Sequence, residues 1–150
     1  MSGPNQMKLK RYFTVTPSSG AQSLATFHFC HTSMVPLVVN LTALGSLGIF
    51  HCKTFGLFPF VRLFGLGCAA ASVAVAIDAR TNPKQVQAGS LGASSALLSY
   101  HAFRSPSYFA LMRYQPITLA AAALAYGIYN EDSAVVGGVT AGYAAFLLAL

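Results

Sequence analysis

From Met34 to its last residue the chain alternates long apolar runs with short polar breaks, and this pattern restricts the fold more than any other feature. The runs are Met34–Phe50, Phe55–Ile77, Gly89–Phe103, Ile117–Tyr129 and Ala134–Leu150. A helix crosses the hydrocarbon core with roughly 20 residues, within a range of about 17 to 25. The second run is comfortably long, the first and last are at the lower limit, and the third and fourth are short. The fourth can extend backward through SYFALMRYQP, with a kink at Pro116. The third can begin below the membrane surface if its neighbours enclose it. Val, Ile and Ala permit strands, but period-two alternation is absent, which argues against a barrel. The expectation is an all-α, polytopic membrane protein of about five transmembrane helices.

Charge supports this. Only 8% of the residues are charged and 55% are hydrophobic, whereas a soluble domain carries about 25% charged residues. The formal net charge of +6 reflects scarce acids, since the first acidic residue is Asp78. The bases stand near segment ends, where long cationic side chains reach phosphate headgroups. Lys8, Lys10, Arg11, Arg104 and Arg113 are the candidate headgroup-binding residues. The expected lipid partners are membrane phospholipids, cardiolipin among them. No basic stripe interleaved with aromatics is present, so nucleic acid is not an expected partner. The two sides of a five-span bundle carry five and four Lys or Arg, which does not decide orientation. Arg62 in FPFVRLF is expected to snorkel outward or pair in the bundle, with Phe55, Phe58, Phe60 and Phe64 as lipid-facing or partner-facing bulk.

Residues 1–26 form a polar, basic arm ahead of a transmembrane domain over 27–150. The first twenty residues lack the apolar core of a secretory signal. Their freedom from acid, with Ser and Thr present, points to mitochondria. Cys30, Cys52 and Cys68 form no CxxC pair and imply no disulfide framework. His28, Cys30 and His31 match no zinc spacing, and His51 and His101 lie toward helix ends rather than at a mid-membrane haem position. No metal and no cofactor are expected.

Small residues recur in the apolar runs: CAAASVAVA, GASSA, LAAAALA, GGVTAG. They let helices approach closely, and Gly138 with Gly142 makes a GxxxG pair. The repeated GSLG at 45–48 and 89–92 has no repeating surroundings and is read as coincidence.

Three pieces, in order and at fitting separations, resemble the rhomboid family of intramembrane serine proteases over roughly residues 27–150. FCHTSMVPLVVNL is similar to the family's stretch from a Phe through two histidines to an asparagine. His31 falls on the first histidine, Pro36 on the second and Asn40 on the asparagine. GASSALL resembles the family's Gly-x-Ser-Gly, with Gly92 and Ser94 matching and Ser95 in place of the second glycine. AVVGGVTAGYAA resembles the last helix, Ala-His-x-x-Gly-x-x-x-Gly, with Gly138 and Gly142 matching and Val135 in the position of the catalytic histidine. The family's first transmembrane helix and the Trp-Arg pair of its first loop have no counterpart, which argues against a derlin-type protein.

The resemblance implies a truncated rhomboid-like bundle and a vestigial site. In the family the serine attacks, the last-helix histidine takes its proton, and the asparagine and second histidine hold the oxyanion. Serine is a poor nucleophile without a base, and losing the Ser or His of such a unit costs on the order of 10⁶ in turnover. His101, seven residues after Ser94, lies about 10.5 Å along the helix, out of reach. Apart from the resemblance, Ser94 reads as a packing residue, Asn40 as an interhelical tie and Pro36 as a first-turn residue of a helix. Gly92, Gly138 and Gly142 are the expected helix-packing positions. The expected role is a catalytically inactive, structural or accessory subunit of a larger complex of membrane proteins. A respiratory complex, ATP synthase or translocase of the mitochondrial inner membrane is the expected setting. The alternatives are an active intramembrane serine protease using Ser94, and a pseudoprotease that binds transmembrane-helix clients.

Overall fold

The structure, a computed structural model, describes residues 13–16, 18, 20–29, 31, 34–82, 91–104 and 116–149. Lys8, Lys10, Arg11 and Arg113, Cys30, most of the basic arm and the backward extension of the fourth run lie outside the described residues.

Every extended element among the described residues is a helix. A short α1 (Ala21–Thr26) leads through a 3-10 turn (Phe27–Phe29) to α2 (Met34–Ala43). α2 passes through a π-helical turn (Leu44–Gly48) into α3 (Ile49–Phe55), making one rod. There follow α4 (Leu57–Thr81), α5 (Gly92–Arg104), α6 (Pro116–Tyr129) and α7 (Ser133–Leu147). Gly56 has φ 97°, a left-handed value that side-chain-bearing residues rarely adopt, and it turns the chain between α3 and α4. Pro36 sits in the first turn of α2, where its missing N–H costs nothing. Pro116 opens α6 and does not kink it within the described residues.

The five apolar runs thus become helical segments, but of unequal reach. Pro36–Phe55, with 20 residues, and Leu57–Thr81, with 25, are long and apolar enough to cross a membrane. α5, α6 and α7 have 13, 14 and 15 residues, roughly 20 to 22 Å against a core of about 30 Å.

Burial explains how the shortest of these, and the richest in Ser, His and Tyr, is accommodated. Ten of the thirteen residues of α5 are buried, including Ser94, Ser95, Ser99 and His101. α7, α4 and α6 pack around it, so its polar groups meet protein and not lipid. Several large apolar side chains stand outward instead, among them Val38 and Leu41 on α2, Val61, Val73 and Ile77 on α4 and Ile128 on α6.

α4 presents Leu63, Gly67, Ala71, Val75 and Ala79 inward, one residue every fourth position. Its lower part, together with Ala134, forms a cluster with Val15 and Phe27, so the segment before α2 is anchored on α4. Of the phenylalanines expected to face outward, only Phe58 does, 72% exposed and beneath the Arg62 guanidinium at 5.8 Å. Phe55, Phe60 and Phe64 pack instead against a second cluster that holds Leu47, Leu63, Leu97 and Tyr100. α3 and the start of α4 converge there, and the rings fill the wedge between them.

Candidate functional site

Among the described residues, α7 and α5 approach backbone to backbone. A Cβ added at Gly138 would lie 2.0 Å from the Gly92 carbonyl oxygen, and one at Gly142 would lie 2.2 Å from that of Ala96. Two glycines one turn apart on α7 therefore face two residues one turn apart on α5, backbone to backbone. Gly137 serves the other neighbour, since a Cβ there would lie 2.7 Å from the Ala70 carbonyl oxygen of α4. Adjacent helical residues point about 100° apart, so the Gly137–Gly138 pair lets α7 settle into the angle between α4 and α5.

This seating sets part of the cavity wall beside Ser94. Val135, 1% exposed, lies one turn before Gly138 and shares a cavity wall with Ser94 and Ser95. Asp132 holds the start of α7 as its N-cap, accepting from the Val135 N–H at 3.2 Å. Burial pushes the Asp132 carboxyl above its ordinary range, and hydrogen bonds from the Val135 and Ala134 N–H groups oppose that shift.

On its other side Ser94 belongs to a polar chain. Its Oγ donates to Asn40 Oδ1 at 2.5 Å. The Asn40 amide Nδ2 meets His31 Nε2, also at 2.5 Å. An amide NH₂ only donates, so His31 Nε2 accepts and its ring proton resides on Nδ1. The serine proton is thus presented to an amide oxygen. The basic nitrogen of His31 is occupied by the amide and stands beyond it. Ser94 divides two cavities. The smaller, about 170 Å³, has His28, His31, Asn40 and Cys68 in its wall. The larger, about 280 Å³, has a wall almost entirely of carbon and includes Pro36, Leu47, Leu98 and Val135.

The structure therefore brings Ser94, Asn40 and His31 into one hydrogen-bonded series, with Pro36 and Val135 in the wall on the other side. Gly92, Gly138 and Gly142 form the seam beneath. Arg104 stands exposed at the end of α5, apart from this group. His28 is directed elsewhere: its Nε2 is 2.8 Å from Ser72 Oγ, which donates to the carbonyl oxygens of Leu24 or Cys68. Among the described residues no group of three or more His, Cys, Asp or Glu is placed to hold a metal.

Treating His51 and His101 as separate helix-end residues misses a second polar pair. His51 Nδ1 lies 3.0 Å from His101 Nε2, and the two side chains are 1% and 0% exposed. Phe50, Phe55, Phe60 and Tyr100 surround them. The outer nitrogens, His51 Nε2 and His101 Nδ1, have no hydrogen-bond partner among the described residues, nor has Ser99 Oγ. Fifty residues separate the two histidines, and no local pattern marks them as partners.

A family model, the Rhomboid domain, matches residues 19–150. No curated protein and no solved structure matches the chain.

Proposed function

The chain belongs to the rhomboid family of membrane proteins, and from that premise we propose that it is a non-catalytic member, retained for its shape. The observation that carries this reading is the environment of Ser94. Its hydroxyl proton is presented to Asn40 Oδ1, and Val135 of α7 stands in the same cavity wall. An amide oxygen is too weak a base to take that proton, and valine neither accepts nor donates one. Pro36, where the resemblance expects an oxyanion-holding histidine, offers no donor either. Ser94 and Asn40 serve here as an interhelical tie.

The molecule then acts as a structural or accessory subunit of a larger membrane assembly. Supporting this are the outward apolar residues of α2 and α4 and the glycine seam that makes the bundle compact. The acid-free, basic first residues favour the mitochondrial inner membrane, within a respiratory complex, an ATP synthase or a translocase. Anionic lipid at Lys8, Lys10, Arg11, Arg104 and Arg113 belongs to the same reading.

The test combines two measurements on the tagged protein in its native membrane. After mild detergent extraction, it should migrate on a native gel within a large species whose companions are present in fixed ratio. A fluorophosphonate probe should leave it unlabelled. Labelling that disappears in Ser94→Ala would establish a serine hydrolase and end the non-catalytic reading. Migration as a lone small species would end the subunit reading.

A further inference from the structure

Two polar ties join the α2–α3 rod to α5, and the π-helical turn lies between them. Asn40 is bonded to Ser94 before the turn, and His51 to His101 after it. A π turn holds one residue more than the α-helix around it, and such turns are rare and cluster at functional sites. With α2 held at Asn40, converting Leu44–Gly48 to α-helix would advance α3 by about one residue, a rotation of about 100°. On a Cα radius of about 2.3 Å that carries His51 sideways by about 3.5 Å. Such a step breaks a hydrogen bond of 3.0 Å. Phe50, half-buried and already edge-on to His101 at 5.2 Å, then takes the place of His51. His51 moves to the direction now held by Cys52, which is partly exposed. Gly56, at φ 97°, is the joint that takes up the change before α4.

Protonation chooses between these registers. Two neutral imidazoles have four ring nitrogens and two protons. One proton is shared between His51 Nδ1 and His101 Nε2, which leaves one N–H and one lone pair on the outer nitrogens. A third proton would put an N–H on both outer nitrogens, where neither has an acceptor among the described residues. It would also place a charge within the ring shell of Phe50, Phe55, Phe60 and Tyr100. A buried charge without a partner is costly. Tyr100 of α5 is the titratable side chain in ring contact with the pair. α4 contributes Phe60 there, and Tyr143 of α7 packs on Phe103 instead. The charged residues nearest along these helices, Lys53, Arg62 and Arg104, are exposed cations. The acids stand elsewhere, Asp78 late in α4 and Glu131 and Asp132 before α7. In the advanced register His51 reaches a partly exposed position, where water and headgroups meet its charge. We propose that the His51–His101 bond is the latch of a proton-driven switch in the α2–α3 rod. Closed, it holds the π turn; with His51 protonated, α3 advances by one residue and seats Phe50 against His101. This inference rests on the two ties and the turn between them, not on whether Ser94 is catalytic.

The experiment uses the full-length protein in liposomes, with isotope-labelled histidine rings. At about pH 8, solid-state NMR should show a nitrogen–nitrogen correlation across the His51–His101 bond. At about pH 5 it should fall about fivefold, and it should return on neutralisation. A second measurement uses spin-label pairs at exposed positions, with Cys30, Cys52 and Cys68 replaced by alanine. Labels at Thr54→Cys and Ile77→Cys report α3 against α4, and labels at Val38→Cys and Val61→Cys report α2 against α4. Acid should shift the first distance by about 3 Å and leave the second unchanged. Removing Ser46, which takes the extra residue out of the π turn, should give the acid distance already at about pH 8. The native chain and the double variant His51→Phe/His101→Phe carry the test if that deletion does not fold. The double variant should lose the response to acid. A correlation that persists in acid would overturn the proposal, as would its loss without movement of Thr54. So would an equal shift of both label pairs, or an acid response retained by the double variant.

Discussion

Replacing Gly142 by alanine puts a methyl carbon 2.2 Å from the Ala96 carbonyl oxygen, a backbone atom of a helix enclosed on its other sides. Ordinary contact begins at 3.4 Å, so α7 and α5 have to part by about 1 Å. A gap of that size forfeits up to half of the dispersion energy across the affected surface. If the seam holds about 40 close carbon pairs, as many as one buried leucine makes, at 0.1–0.2 kcal/mol each, the loss is about 2–4 kcal/mol. Overpacking in well-filled cores costs about 1–3 kcal/mol, occasionally more, so about 3 kcal/mol is expected. That is a factor of about 10² in the folding equilibrium. Gly138→Ala should behave alike, because its methyl would meet the Gly92 carbonyl at 2.0 Å. Gly65→Ala is the control: it is exposed on α4 with nothing within 4 Å of an added Cβ, and should be neutral or slightly stabilising. The assay is equilibrium unfolding in mixed micelles, followed by circular dichroism as the denaturing detergent fraction rises. Transitions for Gly142→Ala and Gly138→Ala that coincide with Gly65→Ala would refute backbone contact between α5 and α7.

The histidine pair predicts strong coupling. His51→Phe or His101→Phe alone leaves one buried imidazole without its partner and should cost about 1–3 kcal/mol. The double variant should cost clearly less than the two together, and additive losses in the same unfolding assay would mean the rings do not interact. Asn40→Leu removes both bonds of the Ser94–Asn40–His31 series and should cost about 1 kcal/mol, at about 0.6 kcal/mol per interhelical bond. Ser94→Ala removes one and should cost roughly half as much. An equal cost would place the tie elsewhere. Asp132→Ala should lose about 1 kcal/mol of capping, whereas Asp132→Asn keeps the cap. The folded-state carboxyl of Asp132 lies above its ordinary 3.8. Its contribution to stability is therefore fully present below that value and lost as pH rises through the raised one. Asp132→Asn should flatten this acid-range slope, and a slope unchanged by the substitution would assign it to another group.

Much of this was legible along the chain because it depends on near neighbours. Apolar runs, helix-starting prolines and the order of the three rhomboid-like pieces are local, and all five helical segments stand where those runs predict. Their lengths were less legible: α3 continues past Phe50 to Phe55 because Gly56, six residues after Phe50, supplies the left-handed turn. The outward assignment of Phe55, Phe60 and Phe64 failed for a related reason. In a membrane apolarity does not distinguish a lipid-facing ring from a packed one, since both neighbours are hydrocarbon.

The sequence by itself determined an all-helical rhomboid-type membrane protein, with valine and proline at two positions where the family resemblance expects histidine. Only the tertiary structure decided where the polar groups point. Whether Ser94 meets a base or an amide depends on the rotation of α5 against α2, and on how deeply Gly137 and Gly138 seat α7 between its neighbours. The meeting of His51 with His101 depends on the same rotations and on register between segments tens of residues apart. Helix periodicity states which residues share a face. Backbone contact between helices selects the face that each one meets.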